Sequence, residues 1–194
     1  MTKLGPRAWR YGSARTILAV DDSRTNLTVI GRRLSDIGHR MMLADNGRAA
    51  LDLVSAGGVD LVLLDMSMPG ISGLDVLHEL RASRETSDLP VIMVTGQSEP
   101  AMAVAALAAG ADDWIAKPFA FEVLEARIDR LLIRAKRVAE LKRSNAALDA
   151  RVAARAIELG ETKADLASSV AERQRLVASI EALSRQVEQL NAPA

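Results

Sequence analysis

The chain has no cysteine, so disulfides, thiolate chemistry and cysteine-ligated zinc are excluded, and a reducing compartment suits it. Histidine is nearly as scarce: only His39 and His78 occur, neither stands in the pattern of a catalytic base, and both are read as surface positions. Aromatic residues make up 3% of the 194 residues. Excess charge of either sign is missing too, because Lys plus Arg and Asp plus Glu both number 25 and the balance holds in each region. Neither half is therefore a basic nucleic-acid arm, and no nucleic-acid partner is expected. The first residues, Met1 to Arg15, carry Lys3, Arg7, Arg10 and Arg15 but no apolar run long enough for a signal peptide or a membrane span. A cytoplasmic protein that engages no membrane is expected. Beyond Phe119 no proline occurs before Pro193, and Gly160 is the only glycine, so little there would interrupt a helix.

What the chain does have is a 49% hydrophobic content, enough for at least one buried core. Five strand-length apolar runs recur: Thr16 to Val20, Arg40 to Ala44, Val59 to Leu64, Val91 to Thr95 and Asp113 to Ala116. Between them lie stretches of helical spacing, such as Leu27, Ile30, Leu34 and Ile37, then Leu51 and Val54, then Leu74, Leu77 and Leu80, then Val104 and Leu107. Gly38, Gly57-Gly58 and Gly110 punctuate the helices. Leu61-Val62-Leu63-Leu64 and Val91-Ile92-Met93-Val94 do not alternate with polar residues, which suits parallel strands covered on both faces. Right-handed crossovers then predict an α/β fold with a doubly wound, five-stranded parallel sheet.

In such a sheet, ligands bind beyond the carboxyl ends of the strands. Asp21 and Asp22 follow the first run, Asp65 ends the third, Thr95 ends the fourth, and the fifth runs into Lys117. These five residues are expected to meet at one edge. Three carboxylates together repel one another and lose hydration, a cost that a positive partner must offset. A hard divalent cation fits, and magnesium takes only a few of its six oxygens from protein; Asp22, Asp65 and a backbone carbonyl near Ser67 would supply them. Asp65 is then a candidate nucleophile toward phosphorus, giving an acyl phosphate. The cation, the Lys117 ammonium and the Thr95 hydroxyl would stabilise charge on the equatorial oxygens.

Asp21-Asp22, Asp65-Met66-Ser67-Met68-Pro69-Gly70, Thr95-Gly96 and Lys117-Pro118-Phe119 together make the sequence similar to two-component response-regulator receiver domains, over about residues 15 to 135. The resemblance implies the flavodoxin-like strand order 2-1-3-4-5, a phosphohistidine on a sensor histidine kinase or phosphotransfer protein as donor, magnesium as cofactor, and a cis peptide before Pro118. By position it makes Asp65 the phosphoryl acceptor, Asp22 and Asp65 metal ligands, Asp21 the holder of a metal-bound water, and Ser67 a carbonyl ligand. Thr95 would turn inward to the phosphoryl oxygens and Trp114 would follow it; receivers more often carry Tyr or Phe at that place, which leaves open how far the bulkier indole turns. Ser67 and Gln97 lie where the family tunes phosphate lifetime. The implied protein is regulatory, its only catalysis being its own aspartyl phosphorylation and dephosphorylation.

Taken singly, these residues have plainer readings. Asp21-Asp22 would cap a helix, Asp65 would end a buried strand, Thr95 would be an ordinary strand residue and Lys117 a surface charge; their order and placement decide otherwise. Asp112-Asp113, which resemble a second metal pair, are read as a solvated turn before the last strand. Trp9 and Tyr11 are read as part of a short extension, residues 1–14, lying on its own domain.

The rest of the chain, residues 136–194, reads as a coiled-coil signalling or dimerisation helix. With Val138 at a, the a series is Val138, Asn145, Val152, Leu159, Leu166, Arg173, Ile180, Val187, and the d series is Leu141, Leu148, Arg155, Thr162, Ser169, Leu176, Leu183, Leu190. The centre, from Arg155 to Arg173, is polar at d and holds Gly160, so a looser or bent middle is expected. A helix from Phe119 to Leu190 would reach on the order of 100 Å and needs a partner helix. Asn145 at a favours a parallel homodimer through residues 136–190; a lone solvated helix or a hairpin folded back at Gly160 are the alternatives. The tail has no histidine and no nucleotide-binding loop. The expected function is thus a phosphorylation-controlled dimer or partner rearrangement. Two further readings are a receiver and connector from a larger kinase or cyclase, and a structural coiled coil with an idle receiver.

Overall fold

The computed structural model describes residues 14–96 and 100–190, with the backbone alone at 100 and 186–190. Gln97, the 1–13 arm with Trp9 and Tyr11, and the last four residues lie outside the described residues. Strands and helices alternate: β1 (Thr16–Val20), α1 (Arg24–Asp36), β2 (Arg40–Ala44), α2 (Gly47–Ser55), β3 (Leu61–Asp65), α3 (Gly73–Ala82), β4 (Val91–Thr95), α4 (Pro100–Ala108), β5 (Asp113–Ala116) and α5 (Phe121–Leu190). The five strands form one parallel sheet in the order β2-β1-β3-β4-β5, the flavodoxin-like arrangement.

Successive strand residues point to opposite faces, and both faces are apolar, so two cores form. Ile17, Ala19, Leu61, Leu63, Ile92 and Val94 pack with Leu27, Ile30 and Leu34 of α1 and Leu124, Ile128 and Leu131 of α5. On the other face Leu18, Val20, Val62, Leu64 and Met93 pack with α2, α3 and Ala106 of α4. Helix starts follow local chemistry: the Ser23 hydroxyl accepts from the Asn26 N–H, Asn46 accepts from that of Ala49, and Ser72 with Asp75 forms a reciprocal capping box. Gly38 and Gly110 turn the chain after α1 and α4 with φ of 93° and 95°, a region that disfavours side chains.

Two expectations change. His39 is not at the surface but 5% exposed, because β2 begins one residue later and draws the turn into the sheet end. Asp112-Asp113 is no solvated turn. Asp112 accepts from Arg81 Nη2 and from the Val91 N–H, each at 3.0 Å, while Asp113 opens β5 at 7% exposure and accepts from Arg127 and Arg130. Those arginines lie 14 and 17 residues further on, beyond any reading of the local turn.

The tail is the long helix expected: helical structure continues through Gly160 in one segment to Leu190, so the chain does not fold back there. The residues as far as Ala139 make one compact unit, which includes the first turns of α5, and those from Glu140 make a second. In the second unit every described side chain is exposed, the apolar ones included. No helix among the described residues is long and apolar enough to cross a membrane.

Candidate functional site

Register brings the polar strand ends to one level. Val20 pairs with Leu64, Asp65 with Val94 and Thr95 with Ala116, so Asp21, Asp65, Thr95 and Lys117 all emerge from the same edge. Backbone bonds extend the sheet through these residues: the Asp21 N–H donates to Ala44 O at 3.2 Å, Met66 N–H to Val94 O at 3.0 Å and Lys117 N–H to Thr95 O at 2.7 Å. The Lys117–Pro118 peptide is cis.

Lys117 Nζ donates to Asp21 Oδ2 at 2.7 Å and lies 3.2 Å from Asp65 Oδ1. Asp21, 3% exposed, also accepts from the Ser23 N–H at 2.9 Å and, on both oxygens, from Asn26 Nδ2 at 3.0 and 3.1 Å. Asp65, 7% exposed, accepts from the Met66 N–H at 3.0 Å. Asp22 stands exposed beside them, and one oxygen from each of the three carboxylates lies within 4.8 Å of the other two.

The electrostatics are unequal. Burial pushes the Asp65 carboxyl above its ordinary value, the Lys117 ammonium only partly offsets this, and the charge of Asp21 raises it further. Burial alone would pull Lys117 down, but the hydrogen bonds and charges of Asp21 and Asp65 outweigh it and hold the ammonium above its ordinary value. Two buried carboxylates thus share one ammonium, with the exposed Asp22 beside them, and burial weighs on Asp65. A donor set of oxygens alone, carrying excess negative charge, fits a hard cation such as magnesium.

Of the other residues expected here, Thr95 is buried, while Ser67 is exposed two residues beyond Asp65. Trp114 pairs with Met93 in the sheet and is half-buried against the α2–α4 core. The structure adds two residues that the sequence reading misses. Asn26 holds Asp21 from the first turn of α1. Gly73, at the start of α3, passes so close to the end of β3 that a Cβ would lie 2.1 Å from Asp65 O and 2.9 Å from Met66 Cα. The Ser72–Asp75 capping signal announces that helix start, but nothing local announces the close approach.

Comparison with known proteins agrees with this geometry. A family model described as the response regulator receiver domain matches residues 17–129. Response regulator MprA of Mycolicibacterium vanbaalenii is 44% identical over 118 residues, covering 61% of this chain and 50% of that protein. MprA of Mycobacterium leprae is 43% identical over 120 residues, with 62% and 52% covered. The chain therefore spans about half the length of these relatives. Among solved structures, the receiver domain of a signal transduction histidine kinase from Syntrophus aciditrophicus matches with a TM-score of 0.60 at 35% identity, over 64% of this chain and 94% of that one. NtrX from Brucella abortus matches with a TM-score of 0.63 at 32% identity, over 67% of this chain and 30% of its own.

Proposed function

The chain belongs to the response regulator receiver domain family, and from that premise we propose that Asp65 accepts a phosphoryl group from a phosphohistidine on a sensor histidine kinase or phosphotransfer protein, and that the long tail carries the outcome by pairing. The observation that carries the first part is the shared ammonium: Lys117 Nζ reaches Asp21 and Asp65 at the strand ends, with Asp22 beside them. In the transfer, an Asp65 oxygen forms a bond to phosphorus as the bond from phosphorus to the donor imidazole nitrogen breaks, and the electron pair leaves with the imidazole. The Lys117 ammonium then meets one phosphoryl oxygen as a point charge, and the Thr95 hydroxyl meets another. Asp21, Asp22, Asp65 and the Ser67 carbonyl would hold magnesium, which when bound supplies the remaining positive charge.

The switch in this reading couples Thr95 to Trp114, one strand apart in the sheet. Movement of Thr95 toward the phosphoryl group would free space that the half-buried indole follows, altering the β5 surface from which the chain leads into α5. A ligand shifts such an equilibrium only by its differential affinity for the two states. The output is regulatory, through a parallel homodimer or partner rearrangement along residues 136–190. Incubation with a small-molecule phosphodonor and magnesium tests the acceptor: an acid-stable, base-labile gain of one phosphoryl mass is expected and is lost in Asp65→Asn. Absence of any gain in the unaltered chain overturns the reading. Sedimentation with and without a phosphoryl mimic tests the coupling to the tail.

A further inference from the structure

From the heptads of the tail, we infer that its occupant is a second copy of the chain lying parallel and in register, an orientation that Asn145, Glu158 and Lys163 specify. The inference rests on the parallel pairing proposed above and names the residues that set its orientation and register. In the single chain the seam is open: Leu141 is 66% exposed, Val152 69%, Leu166 62% and Ile180 63%. Val170 and Val177 at e are also exposed and widen it, whereas Ile157 lies off it at f.

In a parallel pair, each g residue faces the e residue of the following heptad on the other helix. Glu158 at g then faces Lys163 at e of the second copy, and symmetry repeats the attraction. Asp165 and Glu172 at g face Val170 and Val177, and on the flanks like charges meet only where Arg137 at g faces Lys142 at e, at the start of the tail. Asn145 faces Asn145, where two amides satisfy one another in an otherwise apolar layer.

The antiparallel pair of the same overlap sets a against d, g against g and e against e. Glu158 then opposes Glu172, Asp165 opposes Asp165 and Lys163 opposes Lys163, while Asn145 faces Leu183 and its amide loses a partner. Arg155 and Arg173 occupy the seam in either orientation and do not decide between them; Arg155 Nη1 already lies 3.7 Å from Glu158 Oε2 on its own helix. The complement of each deciding charge is carried by the chain itself, which identifies the partner as a second copy.

Because the chain has no cysteine, a single introduced thiol reports orientation cleanly. Full-length Leu148→Cys and Ile180→Cys are each oxidised alone and as a mixture, after sedimentation has given the mass. Dimeric mass with cross-linking of each variant to itself is the expected result. In the antiparallel pair the two thiols introduced by Leu148→Cys would stand roughly 48 Å apart along the axis, and only the mixture would cross-link. That result overturns the orientation while leaving the pairing tail standing. A monomeric mass overturns both. Independently, Lys163→Glu should weaken the dimer about fivefold, and the exchange Glu158→Lys with Lys163→Glu should restore it; an unchanged dimer in the single variant overturns the role given to this pair.

Discussion

Gly73 and Asp65 are in such close approach that a Cβ on the glycine would lie 2.1 Å from the aspartate's backbone oxygen. The Gly73 N–H in turn donates to Met66 O at 3.2 Å, so the first residue of α3 is seated on the end of β3. The position of the Asp65 carboxylate thus depends on the absence of a side chain eight residues later. Both obstructing atoms are backbone, and they can give way only if the strand end moves.

Gly73→Ala should therefore destabilise the receiver by about 1–3 kcal/mol, the usual range for overpacking. It should also displace Asp65 from Lys117. Denaturant unfolding reads the first effect, and phosphoryl uptake from a small donor, measured on the folded fraction, reads the second. Normal uptake in a stably folded variant would show that the seat of α3 does not position the acceptor.

Asn26 gives a second expectation. Its amide donates to both oxygens of Asp21, a carboxylate already engaged by Lys117 and the Ser23 N–H. Removing that support in Asn26→Ala leaves the carboxylate free to turn, and groups that orient metal ligands typically matter by an order of magnitude. Magnesium binding, followed by calorimetry, should weaken by up to about tenfold with little change in thermal stability.

The residues legible in sequence were those whose place follows from a strand end. Asp21, Asp65, Thr95 and Lys117 each terminate or follow an apolar run, and parallel pairing brings such ends to one edge. Asn26 and Gly73 were not legible, because their importance lies in an approach between segments that no periodicity encodes. The same holds for Asp113, whose partners come from a helix beginning eight residues after it, and for His39, which a glycine turn appended to a surface helix suggests should be wet. In the tail, the continuous helix was legible from the lack of proline and the single glycine, whose penalty is small beside the helical bonds around it.

Asp113 carries a third expectation. One buried carboxylate accepts from Arg127, from Arg130 at 2.7 Å and from the Trp114 N–H at 2.9 Å, and thereby fastens β5 to α5. Asp113→Ala should cost about 2 kcal/mol in denaturant unfolding, as charged hydrogen bonds in partly buried settings do. Arg130→Ala should cost well under that, about 0.5 kcal/mol, because its side chain is 66% exposed and water replaces the lost bond. Equal costs for the two variants would mean that the carboxylate is not the organising partner.

His39 sets the pH dependence. Burial holds its pKa below the ordinary 6.5, and this outweighs the opposing influence of Asp129, a hydrogen bond with the Arg15 backbone and Asp60. The folded state therefore binds a proton less readily than the unfolded chain. Its stabilising contribution is fully present above the unfolded value of 6.5 and is lost as pH falls from there through the lower folded value. Over that window one proton can tilt the unfolding free energy by at most about 1.4 kcal/mol per pH unit. His39→Gln, which keeps a hydrogen-bonding side chain but cannot titrate, should show a shallower loss of stability as pH falls below 6.5 than the unaltered protein. Denaturant unfolding at half-unit intervals makes the comparison; the difference between the two curves reports His39 together with its coupling to Asp129 and Asp60, and parallel curves would place its proton uptake outside the folding equilibrium.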